Sequence, residues 1–331
     1  MSLVSGKQYS TEITSRKNFI INGNFEVWQR GTSFSSNADS YGGFGPDRIY
    51  YEQSSAVRLT YAQSTDIPTY AQSGIYSNYS MHFDVTTATG TLGASDYALF
   101  LYSVEGHDYL QLGGGNATLS FWVKADKTGT YSIRLRNNGS DRFYYTEYTI
   151  DVADTWEKKS ITVPLTETGG TWNYTNGLGL QILWNLALGT DRQTGTINSW
   201  TTTSAVGTAN QVNSLDSTAN NFRIAQIQLE AGTVATEFER RHIGEEALLC
   251  YRYFWDSATA FTLKSYNTNS MDCIIQFPVP MRSTNYVVTA SRINFTVGTQ
   301  QKKITEYREI IASSLSASSR YFNGITFDAE L

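Results

Sequence analysis

A period-two alternation of apolar and polar residues constrains this chain more than any other feature, because only a strand with one wet face buries its apolar set that way. Met81, Phe83 and Val85 point one way while His82 and Asp84 point the other, which puts His82 on the surface. Leu119, Phe121 and Val123 share a face, with Ser120, Trp122 and Lys124 opposite. Tyr131, Ile133 and Leu135 alternate with Ser132, Arg134 and Arg136, after a turn spanning Asp126 to Gly129. The same period runs through Ile161, Val163 and Leu165, and through Leu178, Leu180, Ile182 and Trp184. Between 221 and 230 the phase changes. Phe222 and Ile224 have one parity and Ile227 and Leu229 the other, which predicts a bulge near Ala225 and Gln226 or a strand covered on both faces.

Short strands separated by turn-rich loops, with no helical pattern between them, predict an all-β chain built on an antiparallel sandwich rather than alternating β and α units. The 331 residues are enough for two domains. We expect the sandwich over residues 18–240 and a smaller β domain over 256–331, where alternation returns. Between them, residues 241–255 hold the one predicted helix, a stripe of Ile243, Ala247, Cys250, Tyr251 and Phe254 starting after Gly244 with two glutamates in its first turn. Asn323-Gly324 marks either a hairpin turn or a glycine within one strand. Residues 1–17 are polar and aperiodic, and read as a flexible attachment arm.

Charge narrows the function classes. With 25 Lys and Arg against 30 Asp and Glu the formal charge is −5, and no basic run stands out, so nucleic acid is not an expected partner. No apolar stretch has the length of a membrane helix, and the start lacks a secretory pattern, so synthesis in a cytosol is expected. Cys250 and Cys273 sit among apolar residues without metal-ligand spacing and read as buried free thiols. His82, His107 and His242 have no partner at metal-ligand spacing, and there is no nucleophile elbow, phosphate loop or zinc motif. Paired acids remain the one enzymatic pattern available. Glu105 with Asp108, and Asp151 with Asp154, are its candidates, and both read as solvated loop or turn acids. The expectation is no catalysis and no cofactor.

Aromatic residues make up 14% of the chain, against 17% charged, and some fall outside any alternating frame. Trp172 and Tyr174 lie in GGTWNYTNGLG, Trp200 in NSWTTTS, and Tyr79 in TYAQSGIYSNYS. An aromatic plane stacks on the C–H face of a sugar while amides and acids beside it meet the hydroxyls, so these four are the candidate sugar-stacking residues. The alternative for each loop tryptophan is that it folds back to cap the end of its own sandwich.

NFIINGNFEVWQRGTSF followed by GPDRIYY resembles the opening of the carbohydrate-binding-module-like jelly-roll domains of phage tail fibre and receptor-binding proteins. IAQIQLEAGTVATEFERRHIGEEALLCYRYF and the terminal FDAEL resemble later anchors of that family, in the same order. The resemblance implies a jelly roll within a virion tail protein, assembled as a homotrimer, held to other tail proteins through its N-terminus, and meeting a host-surface polysaccharide or envelope protein. It also implies that Trp28, Arg30, Asp47 and Arg48 fix the first strand and its loop, and that Gln228, Glu230 and Phe238 close the sandwich. Related modules hold a structural calcium through a glutamate that Glu26 matches, but Ala225 and Gln226 stand where the second acid belongs. A polysaccharide depolymerase and a structural decoration protein are the competing readings. The distal position of residues 256–331 favours that domain as the receptor site, whereas the aromatic loops favour the jelly roll.

Overall fold

The computed structural model describes residues 16–166, 169–257, 260–262, 264–267, 270–293, 299–312 and 321–331. Of the expected N-terminal arm, residues 1–15 lie outside this set. Its last two residues are tied down, Arg16 by Asp108 at 3.1 Å and the Lys17 amide by Glu239.

Among the described residues, fifteen strands form before the interdomain helix. The first seven are β1 (Ser33–Ser35), β2 (Ser40–Phe44), β3 (Ile49–Ser54), β4 (Arg58–Ser64), β5 (Ser80–Thr87), β6 (Tyr97–Glu105) and β7 (Asn116–Ala125). Then come β8 (Gly129–Arg136), β9 (Phe143–Ile150), β10 (Glu157–Pro164) and β11 (Leu178–Leu188). The short β12 (Gln193–Thr194), β13 (Trp200–Thr201) and β14 (Gly207–Thr208) precede the long β15 (Asn221–Ala231). Two antiparallel sheets stack face to face as a jelly-roll sandwich. One has six strands in the order β1-β4-β5-β15-β7-β10, the other seven in the order β13-β9-β8-β11-β6-β3-β2.

The alternating residues form the core between these sheets: Met81, Phe83, Leu119, Phe121, Tyr131, Ile133, Ile182 and Trp184 are all buried. Ile161 is only partly buried, because β10 is an edge strand. The phase change in β15 is a bulge. Its register with β7 slips between Ala225 and Gln228, and Gln226 takes φ 51°, so Phe222 and Ile224 face the core before it and Ile227 and Leu229 after it. Two short helices break the expected all-strand order, α1 (Tyr70–Ser73) in the tyrosine-rich loop and α2 (Gly106–Gln111) after β6.

The expected interdomain helix forms as α3 (Ile243–Tyr251). It starts one residue before Gly244, because the exposed His242 is its N-cap and accepts the Gly244 amide on Nδ1 at 3.1 Å. The stripe is also rotated from its expected position. Ile243 is 46% exposed, whereas Glu246 turns inward to Arg241 at 3.2 Å. Cys250 and Cys273 are both buried.

The C-terminal unit comprises β16 (Phe254–Asp256), β17 (Ala260–Thr262), β18 (Lys264–Asn267), β19 (Ser270–Gln276), β20 (Val287–Ile293), β21 (Thr299–Lys302), β22 (Glu306–Ala312) and β23 (Tyr321–Asp328). Among the described residues they form two four-stranded sheets, around a core that includes Ile275, Tyr286, Tyr307, Phe322 and Phe327. Asn323-Gly324 lies inside the single strand β23, with Gly324 at φ 82°.

The motif residues of the resemblance clasp this unit to the sandwich. Gly23 has no room for a side chain, since a Cβ there would meet the Ile227 carbonyl oxygen at 2.1 Å. Asn22 donates to the Val27 and Asp47 carbonyls, setting the loop that follows. Asp47 accepts the Gln29 amide at 2.8 Å, and Gln29 reaches on to Phe254 and Asp256. Arg30 pairs with Asp328 at 3.0 Å and lies 3.5 Å over the Phe254 ring. Arg48 pairs with Glu330, donates to the Ser103 carbonyl and lies 3.5 Å from the Tyr253 ring centre. These residues therefore hold the C-terminal segment as well as the first strand. Gln228 and Glu230 bond to each other and to the Thr236 turn, as expected of residues closing the sandwich.

Candidate functional site

The expected sugar-stacking residues do not converge on one open platform. Trp172 stacks on Tyr109 with ring centres 5.1 Å apart and meets Trp200 edge-on at 5.6 Å. Both indole N–H groups are spent on backbone, Trp172 on Gly169 at 2.7 Å and Trp200 on Pro164 at 2.6 Å. The pair therefore caps one end of the sandwich, the alternative open at the sequence level. Tyr174 is 47% exposed and lines a cavity of about 440 Å³ with Tyr109, Leu110 and Leu165. Tyr79 stands apart in the loop entering β5, half-buried against the core. The exposed aromatic pair in that loop is Tyr70 with Tyr76, stacked at 4.6 Å.

Glu26 does not fit a calcium site. Its carboxylate meets the Arg240 guanidinium at 3.3 Å and the Asn24 amide at 3.1 Å. Gln226, through its amide, donates to Ser77, which donates to Asn24. A cation already faces the one acid, and the remaining neighbours are neutral amides and a hydroxyl.

The paired acids part company too. Glu105, expected to be solvated, is buried and clamped by Arg252 and by the Tyr253 hydroxyl, both at 2.5 Å. Burial by itself would raise its pKa, but those hydrogen bonds and the Arg252 charge outweigh it and hold the carboxyl below the usual range. Asp108 turns to Arg16 instead. Asp151 and Asp154 lie on the surface beside Lys159 and Lys124. His82 is half-buried on the outer face of the six-stranded sheet, where burial and then Arg223 lower its pKa.

A different feature has the form of a binding site: a groove across the outer face of the seven-stranded sheet. Strand register builds it. Arg134 of β8 is opposite Leu183 of β11, Leu183 is opposite Leu101 of β6, and Leu101 is opposite Tyr50 of β3. In the adjacent row Arg136 is opposite Gln181. Side chains that alternate away from the core on four different strands thus form a continuous strip with an apolar floor and polar flanks.

The groove has two connected parts, about 260 and 340 Å³, which share Glu52, Leu101 and Gln181. The first lies between Arg134, Arg136, Tyr97 and Arg192. The second reaches Tyr50, Phe44 and the C-terminal Asp328, Glu330 and Leu331. The wall beside Arg134 is the loop around Ala205, whose carbonyl accepts from Arg134 at 3.0 Å and whose amide donates to the Tyr145 hydroxyl at 2.7 Å. Tyr97 donates to Glu52 at 2.7 Å, and Arg192 lies 5.3 Å from the Tyr97 ring centre. Burial and the Glu52 charge push the Tyr97 hydroxyl up to about 12. Gln181 accepts from both β8 arginines on one oxygen, at 2.6 Å from Arg136 and 3.4 Å from Arg134.

Such a strip can lay the C–H face of a sugar on Leu101 and the tyrosine rings while Gln181, Glu52 and the guanidinium groups meet its hydroxyls. Arg134, Arg136 and Gln181 were visible in sequence as the outward half of the β8 and β11 alternations, whereas Tyr50, Tyr97 and Leu101 lie on strands whose alternation was not read. Which strands pair is a non-local fact, and without it Tyr50, Arg134 and Gln181 have no reason to be read together.

A scan against protein-family models finds no match, and no curated protein matches the chain. Among solved structures it is similar to the enzymatically active domain of bacteriophage CBA120 tailspike protein 4, at 13% identity and TM-score 0.32. That match covers 64% of this chain and 21% of the tailspike chain, so it spans about a fifth of the latter. It is also similar to TmCBM61, solved with β-1,4-galactotriose, at 12% identity and TM-score 0.30, covering 66% of this chain and 100% of that one. A family 11 carbohydrate-binding module from Clostridium thermocellum, solved with a β-1,3-1,4-mixed-linked tetrasaccharide, matches at 10% identity and TM-score 0.32, over 62% of this chain and 98% of the module.

Proposed function

We propose that this chain is a non-catalytic glycan-binding protein whose ligand lies in the groove across the β8-β11-β6-β3 face, and that it attaches a phage tail to a host-surface polysaccharide. The observation that carries the binding reading is the register-built strip: apolar floor, two tyrosines and hydrogen-bonding groups converging from four strands. The attachment reading rests on the ordered motifs from NGNF to FDAEL. Assembly as a homotrimer belongs to the same proposal, with Leu248 of α3, 45% exposed, beside an apolar depression it shares with Val279 and Pro280. Repeated weak sites on one particle raise avidity by about 10²–10⁴.

The test is adsorption competition together with Tyr97→Ala and Tyr50→Ala. Wild-type protein in excess should block phage attachment, and each variant should bind host polysaccharide more weakly while keeping its circular dichroism. Unchanged attachment would make the chain a spacer or decoration protein. Release of reducing ends from the polysaccharide would make it a depolymerase. Loss of binding with Tyr174→Ala and not with Tyr97→Ala would move the site to the end cavity.

A further inference from the structure

Within the groove, the two arginines of β8 are arranged in a way that neutral sugar recognition does not require. Arg134 and Arg136 stand on the same face two residues apart, and among the described residues neither has a carboxylate within ion-pair distance. Their acceptors are neutral: the Ala205 carbonyl, the shared Gln181 oxygen and the Ser140 hydroxyl. The Nε of Arg134 is buried and has no hydrogen-bond partner. A guanidinium carries five donors in a planar fork, so most of the donors of this pair are left open. Arg192 adds a third positive charge at the same end, and the single acid lining it, Glu52, acts on both β8 arginines from beyond ion-pair distance and is already held by Tyr97. Elsewhere in the molecule buried arginines are answered by acids, as Arg48 is by Glu330 and Arg241 by Glu246.

We infer that this end of the groove binds the carboxylate of an acidic sugar, of the uronic acid class, with Arg134 and Arg136 as its ligands and Gln181 between them. The inference rests on the glycan-binding reading and names the class of sugar. A carboxylate gives the flat, two-oxygen acceptor that a guanidinium fork matches. A phosphate carries more charge and is usually cradled by successive backbone N–H groups or a helix N-terminus, and this part of the groove is lined by strand side chains without a lysine. The physical pressure toward an anion is visible in Arg134 itself. Burial, and then the Arg136 charge, pull its guanidinium down to about 10, and the negative charge of an anion in the fork would oppose that shift.

The experiment is a printed glycan array of neutral oligosaccharides alongside uronate-bearing and phosphate-bearing ones, probed with the full chain as wild type, Arg134→Gln, Arg136→Gln and Tyr174→Ala. Signal is expected on the uronate spots, at least tenfold weaker in each arginine variant and unchanged in Tyr174→Ala. Arg136 is half-exposed, so its variant carries the test if Arg134→Gln does not fold. Wild-type signal on uronates should also fall as salt rises from 0.05 to 0.5 M, a consequence of charge screening that hydroxyl recognition lacks. Equal signal on neutral and uronate spots would overturn the acidic-sugar inference and leave the glycan-binding reading standing. Signal confined to phosphate spots would overturn the carboxylate assignment. Silence on every spot would overturn both.

Discussion

Replacing Glu330 with alanine should destabilise the chain by about 3–5 kcal/mol, because it strands a buried charge. Arg48 and Glu330 side chains are only 1% and 3% exposed. Burial by itself would lower the arginine's pKa, but the Glu330 charge outweighs it and holds the guanidinium protonated. Without that carboxylate Arg48 retains one carbonyl, Ser103, and the faces of Tyr253 and Tyr102, with centroids at 3.5 and 5.2 Å. A ring of this kind offsets ~2 kcal/mol, less than the cost of an unpaired buried charge. Urea unfolding followed by tryptophan fluorescence reads the effect. The Arg48→Met, Glu330→Leu double variant should regain most of the loss, since a buried pair is costly to halve but not to replace. The exposed pair Arg58–Asp39, whose acid is 77% exposed, is the internal control. Asp39→Ala should cost ~0.5 kcal/mol or less. If Glu330→Ala cost no more than Asp39→Ala, or if the double variant were simply additive, the stranded-charge reasoning would be wrong.

Asp47 should give the stability a pH dependence of unusual sign. Burial raises its pKa from 3.8 to about 6 in the folded state, so the folded chain binds the proton more tightly than the unfolded one. Its contribution is lost as pH rises through about 6, grows as pH falls, and is complete below about pH 3.8, at about 3 kcal/mol. Asp47→Asn should flatten that difference between pH 7 and 4.5, and parallel curves for variant and wild type would refute the assignment. Trp172→Ala should cost about 2–4 kcal/mol through its lost contacts with Tyr109 and Trp200, and leave glycan binding intact; selective loss of binding without loss of stability would restore Trp172 as a stacking residue. Both cysteines are buried, and burial raises the Cys250 thiol further, so a thiol reagent should react with neither in the native chain and with two per chain in urea. Native reactivity at Cys250 would contradict the packing of α3.

The sandwich core was legible because the signal that encodes it is local. The alternation at Met81, Phe83 and Val85, or at Leu119, Phe121 and Val123, depends on the pleat of one strand, and the phase change at Ala225 and Gln226 marks a bulge for the same reason. The groove was not legible, because it exists only once β8 pairs with β11 and β11 with β6, joining residues about fifty to eighty positions apart. The choice at Trp172 and Trp200 between capping and stacking was left open in sequence for a related reason. A polar setting in sequence says nothing of ring neighbours brought from α2 and β9, and Tyr109 and Tyr144 are what pack against them. The inward turn of Glu246 was likewise hidden, since its partner Arg241 lies just outside the helix and the periodic pattern counts only apolar residues.

The far wall of the groove is contributed by Asp328, Glu330 and Leu331, while its floor belongs to strands that end by residue 188. During synthesis the sandwich therefore acquires its final strand, β15, well before the recess is closed on that side. Some hundred residues must still be made and folded back onto Arg30 and Arg48. A chain cut after β15 would lack that wall and the carboxylate that answers Arg48, so the clasp ties completion of the groove to residues some hundred positions downstream of the sandwich.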